Sequence, residues 1–386
     1  MMAAILETVL SNVSKVSNLS SAVNTEDVTM VGANDTTAGD PDVSPFYVTM
    51  RRLQTVLIPL ICSFGICGNV LAAGTFLSST LRGTSCCLYL AAKTISDIGF
   101  LLSLFVVWLY RVHVPILNTH GICQTTVFLS YVCGFLSVWF VVIITIENFI
   151  RISQPWRIPL FCSQRKAIML ICLLVIFTCL LYSFSLWTTG IVKDENPKCQ
   201  SLKKFQNIAL SMTYVDTCLT LILPTILMFF LVLAIMISAL QAYKRKMRLR
   251  VVAQNGNGKL SASTPEGKVS RFLFAVSIIF LFLHTPSHVI RIKLVILNYF
   301  YHQAPSIHDL VFQRVFETFY YFNFSLNCLI YLLFGENFRR VFKQIYMSRC
   351  KRKNMAEVQE ANNMSPLMTT GWSFTEASCI DQEAST

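Results

Sequence analysis

The chain has 386 residues, of which 54% are hydrophobic and 13% charged, about half the ~25% charge of an ordinary soluble domain. That balance excludes a typical soluble enzyme. So many apolar residues also exclude a chain disordered through its bulk, because disorder needs a sequence too polar to bury a core. The net charge of +12 sits beside apolar runs, the pattern of a membrane protein rather than of a nucleic-acid-binding surface.

Residues 1–52 read as a polar, acidic tail. Asn12, Asn18 and Asn34 each open an Asn-X-Ser/Thr pattern, so the tail is expected to be extracellular and glycosylated. Glu7 interrupts the apolar start, which lacks a basic leader. No signal peptide is expected, and the first span should act as the targeting signal.

Seven apolar runs follow, at Leu53–Leu77, Cys86–Tyr110, Cys123–Ile150, Ala167–Ile191, Ile208–Leu240, Phe272–Leu297 and Leu310–Phe334. Each reaches the roughly 20 residues that a helix needs to cross a ~30 Å hydrocarbon core. The sequence therefore predicts an all-α membrane protein, with a seven-transmembrane helix bundle over residues 53–334. Most of the 14 cysteines lie inside apolar runs, where a thiol behaves as a small hydrophobe.

Orientation follows from Lys and Arg beside the spans. Twenty of them fall in the first, third and fifth connections and the C-terminal tail, against eleven on the opposite side, with Lys93 inside a span. The positive-inside rule makes those connections cytoplasmic and places the N-terminus outside. Gln254 to Gly267, rich in Gly, Asn and Ser, reads as a flexible cytoplasmic loop. Residues 335–347 alternate Phe338, Val341, Phe342 and Ile345 with Arg339, Arg340 and Lys343, as an amphipathic helix against inner-leaflet lipids would. In the cytoplasmic tail, residues 348–386, Cys350 stands among basic residues as a palmitoylation candidate. Ser365, Thr369, Thr370, Ser373, Thr375 and Ser378 are candidates for phosphorylation and arrestin recruitment.

Several residues recur in order at telling spacings: Gly68-Asn69 in the first span, Leu90-Ala91 followed by Asp97 in the second, and Cys123 opening the third. Pro224 lies in the fifth, Phe280 with Pro286 in the sixth, Asn327 with Tyr331 in the seventh, and Phe334-Gly335 after it. In these the chain resembles the rhodopsin-like G-protein-coupled receptors over roughly Leu53 to Met347. The resemblance implies a disulfide between Cys123 and Cys199. The stretch Pro286-Ser287-His288-Val289-Ile290-Arg291 is similar to neuropeptide receptors, especially invertebrate ones.

Departures from the family pattern concentrate on its switch machinery. The triplet ending the third span reads Glu147-Asn148-Phe149, without the central arginine. Cys328 replaces a proline, His284 an aromatic, Val232 the fifth-span tyrosine, and the fourth span lacks its usual tryptophan.

Ser130 stands where an amine receptor carries an aspartate, and Tyr321 where a light receptor carries its lysine, so amines and retinal are disfavoured. The resemblance puts Trp108, Ser130, Tyr131, Asp216, His288, Arg291 and Glu317 around an outer ligand site. Arg291 and Glu317 are expected either to contact a peptide or to pair with each other. Asn69, Asp97, Ser137, Asn323 and Asn327 match the inner polar cluster that holds sodium in the family. Lys93, four residues before Asp97, is expected to compete with sodium, to pair with Glu147, or to snorkel to the inner interface. Arg151 is expected to meet a cytoplasmic partner, or to be solvated or bound to lipid phosphate.

The resulting expectation is a receptor for an extracellular peptide that signals to a heterotrimeric G protein and carries no cofactor other than a candidate sodium ion. A scavenger or arrestin-biased receptor of the same fold is the alternative. A transporter fits poorly without internal repeats, and no arrangement of catalytic groups suggests an enzyme.

Overall fold

The structure is a computed structural model that describes residues 45–192, 197–253, 265–300 and 305–347. The predicted modification sites Asn12, Asn18, Asn34 and Cys350, the phosphorylation candidates and residues 254–264 of the Gly-rich loop lie outside those residues. Two compact units divide after Arg339.

Each apolar run forms helix. The first span is Pro45–Phe76, the second Ser85–Arg111, the third Ile122–Ser153 and the sixth Pro265–Phe300. The first helix starts inside the segment assigned above to the tail, because Pro45 lacks an N–H that a first helical position would leave unpaired anyway. The sixth likewise begins at Pro265, within the expected loop.

The fourth span is shorter than predicted. Its helix, Gln164–Tyr182, breaks before Ser185–Thr188, and the chain then enters the strand Thr189–Val192. Ile191, predicted to end a helix, faces Cys199 in an antiparallel pair with the strand Lys198–Ser201. Thr189, Ile191 and Val192 are β-branched and suit a strand better than a helix end. The bond between Cys123 and Cys199 joins this hairpin to the first turn of the third helix. Gly121 caps the start of that helix, and its φ of 89° suits a residue without Cβ.

In the fifth span the helix Gln206–Asp216 passes through a π-helical segment, Thr217–Ile222, into Leu223–Ala253. In the i→i+5 pattern the carbonyl of Leu219 would meet residue 224, a proline with no N–H. Trp139 of the third helix supplies the missing donor, its Nε1–H reaching Leu219 O at 3.1 Å.

The seventh span is Ile307–Ser325 followed by Asn327–Phe334. Among the described residues six helices are long and apolar enough to cross a membrane by length and composition, and the seventh is not one of them. It is interrupted at Leu326 and carries Asp309, Arg314 and Glu317. The Arg339 guanidinium donates to Leu332 O and Leu333 O at 2.9 and 2.6 Å, pairing carbonyls that a helix end leaves without partners. The predicted amphipathic segment forms the helix Glu336–Phe342 and a π-helical turn, Lys343–Met347.

The third helix is the axis of the bundle. Of its most apolar stretch 72% is buried inside the protein, against 22% for the fourth helix, which turns Leu173, Phe177 and Leu180 outward. Between the first, second and seventh spans the core is Ile58, Ile61, Cys62, Phe100, Leu101, Tyr320 and Phe324. Phe100 stacks on Phe324 at 4.0 Å between ring centroids. Gly65 permits that approach, since a Cβ there would lie 2.6 Å from Leu101 Cδ1 and 2.9 Å from Ser325 Cα.

Candidate functional site

At the disulfide end a cavity opens among the first, second, third, sixth and seventh helices, enclosing about 640 Å³ of space free of atoms and partly continuous with solvent. Trp108, Arg111, Ser130, Arg291, Glu317 and Tyr321 are among its lining residues. The Trp108 indole donates to Thr55 O at 2.7 Å and the Ser130 hydroxyl to Val127 O at 2.8 Å. Both donors are thus used within the bundle.

The charges pair differently from the sequence expectation. Arg291 does not meet Glu317. Its Nη2 lies 3.6 Å from Asp216 Oδ2. Asp216 is buried, and its Oδ1 accepts the Tyr182 hydroxyl at 2.7 Å and the Thr220 hydroxyl at 2.8 Å. Glu317 is held by Arg314 Nη1 at 3.3 Å and by the Tyr321 hydroxyl at 2.8 Å. The spacing of three and four residues puts all three groups on one helix face.

Three residues assigned to the outer site are not among the lining residues: Tyr131, Asp216 and His288. Tyr131 stacks on Tyr182 with centroids 5.2 Å apart. His288 is buried, its Nε2 3.1 Å from His284 Nδ1, a distance at which one ring donates and the other accepts. His284 stacks on Phe280 at 3.9 Å and meets the Tyr320 ring edge-on at 5.0 Å. Two helical turns of the sixth span, around Pro286, thus form a continuous ring stack.

Deeper in the bundle, Asp97 gathers three helices. Lys93 Nζ donates to its Oδ2 at 2.7 Å and Asn327 Nδ2 to the same oxygen at 2.6 Å. Ser137 Oγ donates to Oδ1 at 2.5 Å. Lys93 Nζ also reaches Asn327 Oδ1 at 3.2 Å. Lys93 is 1% exposed, so it does not snorkel, and it does not pair with Glu147. Asn69 and Asn323 stand outside this group. Asn69 Nδ2 donates to Phe324 O at 2.7 Å, and Asn323 Nδ2 has no hydrogen-bond partner.

At the far end of the third helix, Glu147 accepts from Ser85 Oγ at 2.7 Å and from Arg151 Nε at 3.1 Å, with Arg151 Nη2 also on it. Arg151 is thus an intrahelical partner one turn away, rather than a solvated or lipid-facing group. Asn148 Oδ1 accepts the Ser270 hydroxyl of the sixth helix at 2.7 Å. Thr145 and Ser277 share a second bond of 2.7 Å across the same interface. Phe149, the next residue in the chain after Asn148, is half-buried. Tyr331 is fully buried, with Phe76 and Phe272 edge-on at 5.0 and 5.8 Å.

Sequence reasoning passes over Arg111, Arg314, Tyr182 and Ser270. The three-residue spacing of Arg314 and Glu317 is a readable signal. Tyr182 and Ser270 find their partners only through helix packing.

The family described as 7 transmembrane receptor (rhodopsin family) matches residues 68–331. The chain belongs to this family, and it is a multi-pass membrane receptor rather than an enzyme. It is 24% identical to Neuromedin-U receptor 2 of Rattus norvegicus over 77% of its own length and 76% of that protein. It is 29% identical to G-protein coupled receptor 183-B of Danio rerio over 42% of this chain, spanning just under half, 47%, of that relative. Against Succinate receptor 1 of Mus musculus it is 24% identical over 74% of its length and 88% of that protein.

Proposed function

We propose that the chain is a plasma-membrane receptor for an extracellular peptide, with its N-terminus outside, that passes ligand binding to a heterotrimeric G protein. The observation that carries this reading is the cavity at the disulfide end, lined by aromatic rings and by both signs of charge. A peptide presents matching apolar and charged groups. The likeness to Neuromedin-U receptor 2 over most of both chains supports it, and the neuropeptide-receptor character of the stretch from Pro286 to Arg291 points the same way.

Ligand binding shifts an equilibrium only if the two conformations bind it differently. The sixth helix offers the lever: Arg291 touches the cavity, the ring stack from His288 to Phe280 runs down from it, and Ser270 holds the third helix below. Breaking the bonds from Ser270 to Asn148 and from Ser277 to Thr145 frees that lower end. Both bonds are neutral, each worth about 0.5–1.5 kcal/mol.

The inner cluster does not fit a resident sodium ion. The Lys93 ammonium already stands against Asp97, and a second cation would face it within the same buried group. In this reading Lys93 takes the place of the cation.

Expression in cells reporting calcium and cyclic nucleotide, challenged with a neuropeptide library, tests the proposal. A concentration-dependent response in either channel supports it. A chain that reaches the surface and takes up peptide with no response in either channel favours the scavenger alternative, for which Asn148 in place of arginine is the specific argument.

A further inference from the structure

The charged groups in and around the outer cavity do not balance. Arg111, Arg291 and Arg314 stand against Asp216 and Glu317, and each carboxylate already faces an arginine, Asp216 facing Arg291 and Glu317 facing Arg314. Glu317 is held by Arg314 and the Tyr321 hydroxyl. Asp216 Oδ1 is held by two hydroxyls, and its Oδ2, itself without a hydrogen bond, faces Arg291 Nη2 at 3.6 Å, beyond hydrogen-bond length. Arg111 closes the second helix and lines the cavity, yet its Nη1 is buried without a hydrogen-bond partner, as is Nη2 of Arg291. Arg51 and Arg314 add like charge around Arg111, and Glu317 opposes it.

A buried guanidinium nitrogen without a hydrogen bond is costly. Arg111 Nη1 has none, Arg291 Nη2 has only the 3.6 Å ion pair with Asp216, and this need, with an excess of positive charge, defines what is missing. A second cation would add repulsion, and an amide would supply an acceptor while leaving the charge uncompensated. A carboxylate supplies both, and the planar guanidinium fork matches it in geometry.

We propose that Arg111 and Arg291 form an anion subsite that receives a carboxylate of the ligand. This rests on reading the cavity as the ligand site. The carboxylate has two sources: the free C-terminus or an acidic side chain of a peptide, or a small free dicarboxylate. Glu317 is already paired with Arg314.

The test uses the full chain in lipid nanodiscs and reads the thermal unfolding midpoint. One pair of probes is butanedioate and its diamide. A second is a set of short peptides made with a free carboxyl terminus and, in parallel, amidated. A ligand that binds only the folded state raises the midpoint in a saturable way. The expected result is that an acid probe raises the midpoint, its amide does not, and Arg111→Gln weakens the acid's apparent affinity by about tenfold or more. Arg111→Lys keeps the charge and should lose less, which separates anion recognition from a folding defect. A shift by butanedioate alone supports the subsite and counts against the peptide reading. Amidated peptides that shift the midpoint as well as their acids overturn the subsite and leave the peptide reading standing. An acid effect that Arg111→Gln leaves unchanged, or no shift by any acid probe, also overturns it.

Discussion

Lys93 and Asp97 sit one helical turn apart on the second helix, both fully buried, with the ammonium 2.7 Å from the carboxylate. Removing one partner strands the other's charge, a loss of about 3–5 kcal/mol in buried pairs. Lys93→Leu should therefore lower the unfolding midpoint of the purified receptor sharply. The double variant with Asp97→Asn should recover most of the loss. Sodium chloride, compared with choline chloride, should stabilise Lys93→Leu specifically and leave the unaltered chain unmoved. Equal sodium stabilisation of both would mean that Lys93 does not stand in for the ion.

The contact of the first helix with the second and seventh depends on Gly65. An added methyl meets Ser325 Cα at 2.9 Å as well as the movable Leu101 side chain, so backbone must shift. Gly65→Ala is expected to cost about 1–3 kcal/mol, the usual range for overpacking. Gly83→Ala, where a Cβ meets nothing within 4 Å, serves as the control, and thermal unfolding of the two variants in parallel decides.

How much of this is readable in the sequence follows a physical division. Lys93 with Asp97, Glu147 with Arg151, Arg314 with Glu317 and His284 with His288 are intrahelical pairs, three or four residues apart, and helix geometry alone brings them together. Helix existence is legible for the same reason, from long apolar runs. The partners of Arg291, Asn148 and Ser137 lie on other helices, and rotation about each helix axis decides them. Periodicity does not fix that rotation, so the sequence offers Arg291 the partner Glu317 where packing gives it Asp216. The fourth span's early end is hidden because Ile191 and Val192 are as apolar in a strand as in a helix.

The link between the third and sixth helices is made of neutral bonds, and this should show in basal activity. Ser270→Ala removes the hydroxyl that Asn148 Oδ1 accepts at 2.7 Å and weakens the closed arrangement by about 1 kcal/mol. Ligand-independent guanine-nucleotide exchange should rise about fivefold. Arg151→Gln, which takes the cation from Glu147, should instead act mainly on stability. Unchanged basal exchange in Ser270→Ala would remove this bond from the switch.

Cys162, in the connection between the third and fourth helices, carries a thiol pushed up from an ordinary 9.0 to about 11, first by burial and then by the nearby Glu147 charge. The folded chain thus keeps its proton where the unfolded chain has lost it. Whatever stability this confers is complete below about pH 9 and lost as the pH rises towards 11. Alkylation at neutral pH should be slow and should climb about tenfold per pH unit up to that range. Mass spectrometry of this single site checks it, and Glu147→Gln should speed the reaction.

Guanine-nucleotide exchange, in membranes carrying the full chain with a purified heterotrimeric G protein and driven by whichever peptide activates it in cells, tests the receptor function most directly. The expected result is peptide-stimulated loading of a GTP analogue that disappears in Cys123→Ser, because the hairpin loses its tie to the third helix. Saturable peptide binding to the surface-expressed chain, with no exchange on any heterotrimer, would contradict it.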